Sequence, residues 1–183
     1  MMQALKVAPL FAVLAFASPA SAESDARAVE AMRLFKAFCV VTEGSSAKAN
    51  LVLGVTNPIA AKLPDAVVTG IYGVPGGLGW AIRSPSDGIF LLGYNPAGIC
   101  EVRIAEAAEG SVVAAYEALV GELAGNAEPT VGQSRKQGDA TLTFRSAQLK
   151  SSGRTSAIAL TSSDRRIGEH QHLITFAFVK PQN

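Results

Sequence analysis

Two cysteines, two histidines and a single tryptophan among 183 residues leave little from which to build a chemical centre. Cys-x-x-Cys is absent, which excludes the usual thiol-exchange motif, and without Cys-x-x-Cys-His there is no covalent haem attachment. Gly-x-Ser-x-Gly is missing, and so is the Gly-Lys-Ser/Thr end of a phosphate-binding loop. Charge of one sign is also scarce: 16 Lys and Arg meet 15 Asp and Glu, for a formal net charge of +1. Basic residues never run longer than the pairs Arg135-Lys136 and Arg165-Arg166. A balanced, dispersed charge gives no footprint for nucleic acid or for an anionic membrane surface. Low-complexity segments and internal repeats are missing too.

What the chain does have begins at its N-terminus. Lys6 precedes an apolar run from Val7 to Phe16, and Ser18-Pro19-Ala20-Ser21-Ala22 follows with small residues in an Ala-x-Ala arrangement. This is the layout of a secretory leader cut after Ala22. The apolar run is about half the ~20 residues a membrane-spanning helix needs, so no stable membrane insertion is expected after the cut. Removal of residues 1–22 from the 183 leaves 161, a length suited to one globular domain, residues 23–183. The expected address is the periplasm, or the exterior.

Cys39 and Cys100 both lie in that mature part. An even cysteine count in an exported chain reads first as a disulfide, with two free buried thiols as the alternative. Closing the 61-residue separation by a bridge is worth about 4 kcal/mol in the chain-entropy model, a large share of a domain's net stability.

Ser24 can cap a helix starting at Asp25, with Val29, Met32, Phe35 and Cys39 at three- and four-residue spacing. Residues 45–70 are ambiguous: 48–55 fits a short helix or an extended run, and Ala66 to Tyr72 is strand-like. A glycine-rich loop follows, Gly73 to Gly79, with neither the spacing nor the following helix of a dinucleotide loop. Trp80 at its end reads as a core residue beginning a strand. Strands are expected over Trp80–Arg83 and Ile89–Tyr94 around Asp87-Gly88, then over Ile99–Ala105 after Asn95-Pro96-Ala97-Gly98. In the last of these Cys100, Val102 and Ile104 share one face, so Cys39 and Cys100 both turn to the core. A second helix spans Glu109–Leu123 and stops at Gly125-Asn126. Strands over Ala140–Leu149, Thr155–Thr161 and His170–Lys180 complete an α+β two-layer sandwich, a single antiparallel sheet with two main helices on one face.

The histidines are the one pair that suggests a site. His170 and His172 alternate on a strand and leave the same face, within reach of one metal ion, at the partly wet rim of the core. No pattern nominates further ligands, and no cofactor is implied. Glu101, Glu106 and Glu109 are expected at solvent faces, so no carboxylate pair is marked for acid–base work.

The helix ending in Phe38-Cys39, the segment Gly79-Trp80-Ala81-Ile82 with its hairpin, and Gly98-Ile99-Cys100-Glu101-Val102 before an alanine-rich helix together resemble a group of small exported proteobacterial proteins without assigned activity. The resemblance spans residues 28–124. It implies the Cys39–Cys100 pairing and an exported α+β domain, and supplies no catalytic residue. The function expected from all this is a non-enzymatic envelope protein that binds another envelope protein. Two other classes stand beside it: a small-ligand or metal-binding protein, which needs an apolar pocket or ligands converging on the histidines, and a hydrolase with a triad assembled in space.

Overall fold

The structure, a computed structural model, describes residues 25–54, 58–125, 128–151 and 153–179. The expected leader, its cut site and Ser24 lie outside these residues.

Asp25 caps the first helix. Its carboxylate accepts from the Arg27 backbone N–H at 3.0 Å, and α1 runs Ala26–Phe35. The buried stripe is Ala28, Ala31, Met32, Leu34 and Phe35, while Val29, expected inside, is exposed. Two alanines on the inner face let the helix axis approach the sheet closely. A π-helical turn, Lys36–Val40, ends the helix with Val41 N–H bonding back five residues to Lys36 at 2.9 Å. It carries Cys39 into the core.

The ambiguous stretch resolves into α2 (Ser46–Leu53), a short edge strand β1 (Ala60–Lys62) and α3 (Asp65–Tyr72). The last corrects the strand-like expectation for 66–72. Pro64 sits at the N-cap, Asp65 in the first turn, and Gly73 at φ 71° closes the C-terminus. Those start and stop signals outweigh the β-propensity of the Val-Val-Thr-Gly-Ile-Tyr run. Then come β2 (Leu78–Arg83), β3 (Ile89–Tyr94), β4 (Cys100–Ile104), α4 (Glu109–Ala124), β5 (Thr130–Val131), β6 (Arg135–Gln137), β7 (Ala140–Ser151), β8 (Arg154–Ile167) and β9 (His170–Phe178). Strands β1, β5 and β6 were not expected. Each is two or three residues long, too short to carry an alternating pattern.

The nine strands among the described residues form one antiparallel sheet in the order β1-β2-β3-β4-β9-β8-β7-β5, with β6 also on β7. The chain thus makes a meander β1–β4, crosses by α4, and returns β9 to lie beside β4. Register sets ranks of side chains on the helix-covered face. One rank is Trp80, Leu92, Val102, Ile174 and Leu160; the next is Ile82, Phe90, Ile104, His172 and Ser162. All are buried.

α1 and α4 lie side by side on that face and run parallel. Asp25 at the start of α1 touches Ala108 and Ser111 at the start of α4, and Lys36 meets Glu122 near both ends. The two main helices therefore share one face, as expected. α3 lies on the opposite face, where Val68 and Tyr72 rest on Gly77, Gly79 and Gly93. A Cβ on Gly93 would stand 1.9 Å from the Tyr72 hydroxyl, so glycine is required for this approach.

Candidate functional site

Cys39 and Cys100 are joined, with Cα atoms 5.4 Å apart, so the last turn of the first helix is stapled to β4 near the middle of the sheet. The Phe38 carbonyl beside it accepts from the Tyr94 and Thr42 hydroxyls. Burial pushes the Tyr94 phenol up to about 12, so it remains a donor at any ordinary pH. Trp80 stands edge-on to Tyr94 at 6.0 Å and is fully buried, as expected of a core tryptophan.

The opposite end of the helix pair is organised by one carboxylate. Asp25 accepts from Arg27 N–H in α1 and from Ala108 N–H at the start of α4 at 2.8 Å, and pairs with the Arg27 guanidinium at 2.8 Å. Two helix N-termini share it, so its negative charge meets the positive ends of two dipoles. The Arg27 hydrogen bonds, with smaller contributions from the backbone donors, hold its carboxyl down at about 2.

His172 belongs to the same end. It occupies a core rank beside Ile104, fully buried, which corrects the expectation of a partly wet rim. Nε2 lies 3.0 Å from the Ala107 carbonyl, which can only accept, so this nitrogen carries the proton. Nδ1 is then a lone-pair acceptor, and the Ser162 hydroxyl donates to it at 2.8 Å. Burial holds this imidazole below its ordinary pKa, and therefore neutral. Gln171 fixes the same loop by accepting from Ala107 N–H at 3.3 Å. The polar chain Ser162–His172–Ala107 pins the entry to α4 onto β8 and β9.

This is the geometry of a Ser–His pair without that of a catalytic one. The serine is fully buried, and the far imidazole nitrogen bonds a backbone carbonyl where a hydrolytic triad has a carboxylate. His170 is half-buried and lines a shallow hollow of about 250 Å³ with Phe144, Gln171 and Leu173. Burial and the nearby Arg103 hold its pKa down as well. Both nitrogens of His172 are thus committed within the protein, and among the described residues no group of three or more His, Cys, Asp or Glu is arranged to hold a metal.

Glu101 also departs from expectation. Its side chain is buried under α3, with Arg103 Nε at 2.6 Å and the Tyr72 phenol alongside. Burial and the Glu101 charge push the Tyr72 phenol up. The cluster is tight, and the space beside it holds about one water (10 Å³).

A concave feature with room for a ligand lies at the C-terminal end of the helix pair. Leu149, Ser156, Phe176 and Phe178 form its floor on β7, β8 and β9. Val40, Val41 and Leu123 wall it, and Glu43, Lys150 and Arg154 edge it, around about 380 Å³. Phe176 and Phe178 meet edge-to-face at 5.5 Å, and the Arg154 guanidinium sits 3.4 Å over the Phe178 ring. Its size falls within the ~300–1,000 Å³ of small-molecule sites. Sequence reading missed it, because the floor comes from three strands and the walls from two helix ends far apart in the chain. Ile174, Phe176 and Phe178 alternate on one face of β9, but alternation does not show the gap above that face.

Comparison with protein-family models, with curated proteins and with solved structures returns no match.

Proposed function

We propose that this chain is an exported, non-enzymatic protein that binds a small ligand in the cleft at the end of the helix pair. The cleft is the observation that carries this reading: it is apolar-floored, mixed at its rim, and of ligand size. The chemistry of the side chains supports it. The one buried serine–histidine contact is spent on fixing a loop, and the cysteines are spent on a bridge. The leader-like N-terminus and the resemblance to small exported proteins support export, and N-terminal sequencing of the periplasmic form should begin at Glu23.

Binding is read with Val41→Trp, which places an indole on the exposed cleft wall while Trp80 remains in the core. Titration with dodecanol should shift its emission and saturate at one ligand per chain. No shift and no heat of binding would remove the reading.

A second reading, docking of another envelope protein, has its own observation. α2 turns Leu51 and Val52 to solvent, 86% and 66% exposed. Such side chains on a short helix are partner-contact chemistry. Native pull-down with Leu51→Glu as control separates the two; a protein solitary in both forms removes the second.

A further inference from the structure

We infer that the cleft selects a single-chain amphiphile with an anionic head group. The inference rests on the binding reading above and narrows it to one ligand class. The floor offers two phenyl rings in edge contact and a leucine beside Ser156, a surface on which an aliphatic chain can lie. The rim offers charge. Lys150 and Arg154 flank the β7–β8 turn, and among the described residues neither forms an ion pair. Glu43, also at the rim, faces Lys48 at 3.9 Å.

Arg154 joins the two parts of the site. Its guanidinium carbon sits 3.4 Å over the centre of the Phe178 ring, at the boundary between the apolar floor and water. Among the described residues no carboxylate pairs with this guanidinium. A carboxylate or phosphate head arriving there gains a charge-assisted bond while its chain covers Phe176 and Phe178. A neutral head gains only the second contribution. A cationic head meets two cations and one acid already partnered.

The Val41→Trp reporter is titrated with dodecanoate, dodecyl phosphate, dodecanol and dodecyltrimethylammonium, each below its micelle concentration. Both anions should bind about tenfold tighter than dodecanol. Arg154→Gln should remove that preference, so that the variant binds both anions no tighter than it binds dodecanol; Lys150→Gln should reduce it in part. Equal affinity for anion and alcohol overturns the charge selection and leaves the cleft reading standing. Tightest binding of the cation overturns it in favour of Glu43. Binding of none of the four removes both readings together.

Discussion

Asp25 shows how much one residue can hold in this molecule. It caps α1, accepts from the Ala108 N–H at the start of α4, and anchors Arg27. Asp25→Ala should destabilise by about 2 kcal/mol, read as a fall in urea midpoint at neutral pH. Its folded pKa of about 2 lies below the ordinary 3.8. The stability it gives is therefore complete above about pH 4 and is lost as pH falls toward 2, a window that Asp25→Asn should flatten. His172 acts in a higher window with the same sign. Because burial depresses its folded pKa, the unfolded chain binds more protons as pH falls below about 6.5, and stability declines. Denaturant midpoints at pH 7.5 and 5 should show that decline. His172→Phe should flatten it in part, since His170 is depressed as well, and should cost about 1–3 kcal/mol by stranding the Ser162 hydroxyl and the Ala107 carbonyl. A midpoint that rises at pH 5 would contradict this. At this scale the chain was half legible. Alternation put His172 on the core side, but its partners come from a loop and a strand that no local pattern connects to it.

At the scale of elements, α3 is the instructive case. Its β-branched residues suggested a strand, and its termini decided for a helix. What keeps it on the sheet is the pair Gly79 and Gly93, which leave a flat place for Val68 and Tyr72. Gly93→Ala puts a methyl into the Tyr72 hydroxyl and should cost about 1–3 kcal/mol of overpacking. Tyr72→Phe in the same chain should recover part of that loss, because the nearest remaining ring atom is at 3.1 Å; a double-mutant cycle measures the coupling. Additive losses would mean that α3 does not press on Gly93. The longer elements were legible for ordinary reasons. α4 shows a broad apolar stripe and a glycine stop, and the strands β2, β3, β4, β7, β8 and β9 alternate over enough residues to be counted. α3 was not, because its eight residues are a short, mostly apolar run that fits two turns of a helix or a strand.

At the scale of the whole molecule, the disulfide joins two inferences made separately, that helix and strand each turn a cysteine inward. Opening it by Cys39→Ala with Cys100→Ala should cost about 2–4 kcal/mol, measured against the oxidised protein in urea. Denatured without reductant, the native protein should leave maleimide unreacted. The architecture was legible as one antiparallel sheet under two helices; the order of its strands was not. Nothing local says that β9 returns to β4, because both are apolar strands with several available neighbours.

That seam, Cys100–Ile104 against His172–Phe176, has a consequence for the life of the chain before it is folded. Each meander can form from neighbouring sequence, but the two become one sheet only when the final strand is present. In the export proposed above, with the N-terminus first, β9 is the last of the described strands to pass the pore. The two meanders would then join into one core only once that strand has passed.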